Sequence, residues 1–117
     1  MNSEMIKEKL RKFAADRNWD VYHSPKNLCM ALSIETSELM EHFQWLTENE
    51  SQIIMNDPEK ASEIKDEMAD VYLYLMRLAD KLDVDLDYQA LIKLKKNAVK
   101  YPVELSKDNA KKYTEFH

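Results

Sequence analysis

The residues in this chain best suited to chemistry are two acidic pairs, Glu35-x-x-Glu38 and Glu67-x-x-Asp70. Both fall in stretches with helical periodicity, and both lie where acids are out of place. At about 100° per residue, Glu35 falls within about 60° of Leu28, Leu32, Leu39 and Leu46, in the middle of an apolar stripe. Glu67 sits at the edge of a second stripe made by Ile64, Met68, Val71, Leu75 and Leu78, with Asp70 and Tyr74 just beyond it. Ionised carboxylates in apolar surroundings are very unfavourable, and several together repel one another. A cation between the two helices would resolve both problems. Carboxylates are hard oxygen ligands that suit Mg²⁺, or Mn²⁺ in its place, and not zinc. The i, i+3 spacing puts each pair on neighbouring turns of one face, so two facing helices can converge four acids on one point. Mg²⁺ is commonly completed by substrate phosphates, which makes metal-assisted hydrolysis of a polyphosphate the natural reaction. A di-iron bundle normally needs two Glu-x-x-His elements, and the chain has none. Glu41, Glu63 and Asp66 add to the negative field, or read equally well as a solvated charged face.

Aromatic and basic residues surround these acids in sequence. Trp19, His23, Trp45 and Tyr74 could stack on a nucleobase, a contact worth about 1–3 kcal/mol per base; as tryptophans, Trp19 and Trp45 also suit a core. Lys93, Asn97 and Tyr101 follow one another at i, i+4 and i+8 and so share a helix face. They could bind phosphate oxygens, or form an ordinary solvated surface.

The elements that must position these groups are helices. Periodicity predicts a first helix over about Ser3 to Asn18, with Ile6, Leu10 and Phe13 on one face. Ser24-Pro25 is an N-cap followed by proline at the first helical position and opens a second helix to about Leu46. Thr47 to Asn56 reads as a polar loop with a short helical turn. Asp57-Pro58 repeats the cap signal and opens a third helix to about Leu82. Asp85 or Asp87 caps a fourth, with Leu91, Leu94 and Ala98 facing inward, ending before Pro102; residues 103–117 read as a polar tail. The fold class expected is all-α, a four-helix bundle forming one domain over residues 1–117.

Composition narrows the function further. A net charge of -5 argues against a nucleic-acid partner held by its phosphates. No apolar run follows a basic start and none approaches about 18 residues, so neither secretion nor a membrane partner is expected. The single cysteine, Cys29, fits a cytoplasmic location. With no glycine at all, the chain has no P-loop and no glycine nest for phosphate. Metal ions and side chains must do that work.

Arg17-Asn18-Trp19, His23-Ser24-Pro25-Lys26-Asn27-Leu28, Glu35-x-x-Glu38 and Phe43-Gln44-Trp45 together resemble the all-α nucleotide pyrophosphohydrolases of the MazG superfamily, closest to its small dCTP pyrophosphatase-like branch. The resemblance continues through Glu67-x-x-Asp70-Val71, Tyr74-Leu75, Lys93-x-x-x-Asn97, Lys100-Tyr101-Pro102-Val103 and Lys112-Tyr113-Thr114. It implies Mg²⁺-dependent hydrolysis of a nucleoside triphosphate to monophosphate and pyrophosphate. Glu35, Glu38, Glu67 and Asp70 would hold the metals, and Glu38 would orient or deprotonate the attacking water, with Glu35 beside it. Trp19, His23, Trp45 and Tyr74 would enclose base and sugar, and Lys93, Asn97 and Tyr101 would reach the phosphates. The resemblance also implies a homo-oligomer, a dimer or a dimer of dimers. Ile34 stands where many MazG proteins carry an acid, and Leu10 where some animal members of the branch carry histidine. The reading is a cytoplasmic enzyme that clears surplus or non-standard dNTPs, with a dCTP-like pyrimidine as first substrate. The alternative is a non-catalytic helical module that binds nucleotides or a protein.

Overall fold

Short polar side chains set where helices begin. Asn2 Oδ1 accepts from the Met5 amide at 2.9 Å and opens α1, Ser3–Asp16. Ser24 Oγ accepts from the Asn27 amide at 3.2 Å, and Pro25 begins α2, Pro25–Glu41. Asp57 Oδ1 accepts from the Glu59 and Lys60 amides and starts α4, Pro58–Lys81, again with proline at its first position. Asp85, not Asp87, caps α5, Leu86–Lys100, through the Tyr88 amide at 3.1 Å. Each cap satisfies amides that no helical carbonyl can reach. In this computed structural model, which describes residues 2–115, the described residues are all helix, turn and loop, with no strand.

Two elements differ from the sequence reading. The supposed loop after Trp45 contains α3, Glu48–Ile53, opened by a reciprocal capping box between Thr47 and Glu50 and followed by a 3₁₀ turn, Ile54–Asn56. The supposed tail contains α6, Val103–Ser106, and a 3₁₀ turn, Tyr113–Glu115. In addition α2 stops at Glu41, and residues 42–45 continue as turns.

Lacking glycine, the chain closes two of its helices with other residues in the left-handed region. Asn18 has φ 55°, and the Trp19 amide donates to Ala14 O at 2.9 Å while the Asn18 amide donates to Ala15 O at 3.1 Å. This is the paired hydrogen-bond pattern of a Schellman cap, and asparagine tolerates it better than most residues. Asp83 (φ 55°) follows α4 in the same way. The α1 cap also sets the direction in which Trp19 leaves the helix.

The chain divides into two compact units, Met1–Asp83 and Val84–His117. In the first, α2 and α1 both pack against α4, and the core comprises Ala14, Leu28, Ala61, Ile64, Met76 and Ala79. Leu28 is the most deeply buried large side chain, at 1% exposure. Met68 is an exception to its predicted stripe and is exposed. In the second unit Leu91, Leu94 and Ala98, predicted to face inward, are exposed along α5. An apolar stripe reports that a helix face wants cover; it does not say which chain supplies it. No described helix is long and apolar enough to cross a membrane.

Candidate functional site

The α2–α4 packing brings the two acidic pairs together. One carboxylate oxygen from each of Glu35, Glu38 and Glu67 lies within 4.8 Å of the others. Glu35 Oε2 and Glu67 Oε2 are buried and accept no hydrogen bond. Buried carboxylate oxygens are normally satisfied, so two orphans in one acidic cluster fit a site for a cation. Burial, then the negative charge of Glu38, Asp70 and Glu67, pushes the Glu35 carboxyl up from its ordinary value. Burial and Glu38 likewise raise Glu67, with His42 acting in the opposite direction. The donor set is all hard oxygen, the chemistry of Mg²⁺ and Mn²⁺.

His42 was not anticipated as part of this neighbourhood. Its Nδ1 lies 3.8 Å from Glu63 and its Nε2 4.0 Å from Glu67. The available signal was its i+4 spacing from Glu38, which puts both on one face of the helix. Glu63 is also reached by Lys60 at 3.5 Å, so a lysine and a histidine both lie beside it. Glu41 and Asp66 are exposed, as a solvated face would be.

Asp70 stands outside the close triple and lines an adjoining cavity of about 260 Å³, together with Leu10, Phe13, Trp19, His23, Leu73, Tyr74 and Arg77. Three of the four aromatic residues singled out in the sequence therefore share one cavity. Trp19 meets Phe13 edge-on at 5.8 Å between centroids and His23 at 6.2 Å. Trp45 is elsewhere. It is 87% exposed and lines a separate hollow with Glu41, His42, Leu46, Glu50, Ile53, Ile54, Asn56, Asp57 and Lys60.

Arg77 is the second residue the sequence reading missed. Only 5% exposed, it forms an ion pair with Asp20, lies 3.6 Å from Asp80, and donates from Nε to His23 Nδ1 at 3.2 Å. Arg11 Nε and Nη2 grip the Asp80 carboxylate at 2.7 and 2.6 Å, and hold its pKa low. Burial, then Arg77 and Lys81, lowers the pKa of His23, with Asp20 opposing. The sequence did carry a signal here, since Asp70, Tyr74 and Arg77 fall at i, i+4 and i+7 on one helix face.

In the second unit, Lys93, Asn97 and Tyr101 lie on or directly after α5. The Tyr101 amide donates to Asn97 O at 2.8 Å. The positive charge of Lys100, then burial, lowers the pKa of Lys93, so this stretch of α5 concentrates positive charge.

The chain is similar to known proteins over most of its length. The chain is 38% identical over 112 residues to dCTP pyrophosphatase 1 of Mus musculus and of Homo sapiens, covering 96% of this chain. It spans 66% of the length of those two relatives, just under two thirds. The crystal structure of a pyrophosphatase from Archaeoglobus fulgidus matches with a TM-score of 0.79 at 37% identity, covering 85% of this chain and 91% of that one. The sequence pattern of the MazG-like family fits residues 30–116, which include both acidic pairs, Trp45, Tyr74 and the α5 residues. With most of its length inside that pattern and its fold matching a solved relative, the chain belongs to the MazG-like family.

Proposed function

We propose that this chain is a divalent-metal-dependent nucleoside triphosphate pyrophosphohydrolase, converting a dNTP to dNMP and pyrophosphate, with dCTP as the first substrate. The observation that carries this reading is the glutamate triple with its two buried, unsatisfied oxygens, set beside an aromatic cavity. The names of the relatives support the same reaction class and a cytosine nucleotide. Glu35, Glu38 and Glu67 would hold the metal, with Asp70 completing the set from the cavity side. Bound Mg²⁺ would supply neutralising charge for the polyphosphate and acidify a water. Glu38 would orient the attacking water and take its proton as the water oxygen bonds to the α-phosphorus and the α–β bridging bond breaks, releasing pyrophosphate. Trp19, His23 and Tyr74 enclose base and sugar, and the resemblance assigns Trp45 to the same task and Lys93, Asn97 and Tyr101 to phosphate oxygens. The natural setting is one cytoplasmic domain, a bundle of four long helices assembled as a dimer or dimer of dimers. It clears unwanted nucleotides and has no nucleic-acid or membrane partner.

Pyrophosphate release from a panel of dNTPs, NTPs and modified pyrimidine nucleotides, with Mg²⁺ and with EDTA, tests the reading. Mg²⁺-dependent release with monophosphate as co-product is expected. Silence across the panel from folded protein would favour the non-catalytic binding module. Glu38→Gln should lower turnover by about two to four orders of magnitude while circular dichroism is unchanged, the loss expected when a general base is removed. Full activity in that variant would take Glu38 out of the mechanism.

A further inference from the structure

The aromatic cavity contains a polar device that the acid site does not explain. A guanidinium has five donors and no acceptor. The contact from Arg77 Nε to His23 Nδ1 therefore requires Nδ1 to be unprotonated, and the ring proton sits on Nε2. A ring flip would bring a carbon opposite the Arg77 donor, so the contact also fixes which way the imidazole faces. Arg77 is itself fixed, being buried, paired with Asp20 and close to Asp80, whose two oxygens Arg11 also grips. Lys81 reaches Asp20 at 3.3 Å, so the anchor does not depend on Arg77 alone. His23 and Arg77 both line the cavity, as does Asp70.

We propose that Arg77 is a positioning residue that sets the hydrogen-bond polarity of this cavity, holding His23 as a neutral Nε2–H donor to the bound base. A donor locked in place selects a ligand with an acceptor opposite it, a carbonyl oxygen or an unprotonated ring nitrogen, and penalises one that presents an N–H there. Cytosine carries such acceptors at O2 and N3. The proposal rests on the nucleotide reading above for the identity of the ligand; the Arg77–His23 link stands on geometry alone.

The test joins ring NMR with kinetics. Imidazole ¹H–¹⁵N spectra of the unaltered, nucleotide-free protein should show His23 with a bare, hydrogen-bonded Nδ1. The ring should stay neutral to a pH below the ordinary histidine range, through its burial first and then the charges of Arg77 and Lys81, with Asp20 favouring the proton. A proton on Nδ1 in that spectrum would overturn the proposal without any variant. Arg77→Met removes the donor. Arg77→Lys keeps a cation for Asp20 but lacks the fork that reaches two partners at once. In Arg77→Met, which also removes the positive charge, His23 should protonate at higher pH, and in whichever variant folds KM for dCTP should rise about tenfold, the worth of one oriented hydrogen bond. kcat should stay within about twofold, the pattern of lost ground-state binding. An unchanged His23 spectrum, or an unchanged KM, would overturn the proposal. If the unaltered protein shows the bare Nδ1 but neither binds nor turns over any nucleotide, the nucleotide reading falls, and the base-facing half of this proposal with it.

Discussion

Glu35 and Glu67 are acids held by an apolar interface that gives each a buried oxygen with nothing to bind. Their native pKa values are raised, so between the usual carboxylate range and the raised value the folded chain binds more protons than the unfolded one. Their contribution to stability is therefore present at low pH and lost as pH rises through the native value. Glu35→Gln removes one of these charges. In EDTA, at neutral pH and above, that variant should melt higher than the unaltered protein, and the gap should close as pH falls to the usual carboxylate range. Added Mg²⁺ should reverse the order, because only the intact cluster gains by binding it. A gap independent of pH would mean that carboxylate repulsion is not what the interface holds back. The acids were legible in the sequence because their placement contradicts the hydrophobic pattern. Arg77 and His42 share helix faces with these acids but were passed over, since a polar residue on a helix announces neither its burial nor a partner 54 positions away, the separation between Arg77 and His23.

Helix boundaries were legible wherever a cap is followed by proline, as at Ser24-Pro25 and Asp57-Pro58, because two independent signals coincide. The short α3 was read only as a helical turn within a loop although Thr47-x-x-Glu50 spells a capping box, since six mostly polar residues show no hydrophobic period to go with it. The inward faces of α2 and α4 were read correctly at Leu28 and Ile64, both almost fully buried. Leu28→Ala should destabilise the first unit by about 2–5 kcal/mol, as large-to-small changes at sealed core positions do. Urea denaturation measures it. A loss below about 1 kcal/mol would show that the α2–α4 seam can collapse around the gap. Because the same seam carries the glutamate triple, Mg²⁺ binding should weaken in that variant as well.

For the molecule as a whole, apolar groups stay uncovered in the single chain. Met30 and Ile34 on α2, and Met68 and Tyr72 on α4, are i, i+4 pairs that face solvent. The expected dimer or tetramer would cover such surface, and light scattering should return a multiple of the 13.9 kDa chain mass. Ile34→Glu should shift that mass toward the monomer; a monomeric unaltered protein would rule the assembly out. The fold class was legible because helical period and caps run the length of the chain. The assembly is expected from the family resemblance alone, because sequence periodicity marks a face that needs cover without naming what covers it.

The separation of the two tryptophans has an optical consequence. Trp19 is boxed by Phe13 and His23 at 42% exposure, whereas Trp45 is 87% exposed against a different hollow. Indole emission responds to the polarity around it, so the native spectrum should be a sum of a bluer and a redder component. Trp45→Phe would leave a protein whose fluorescence reports the His23 cavity alone. Trp19→Phe would leave one that reports the second hollow, so the chain carries two unlabelled probes of two separate places.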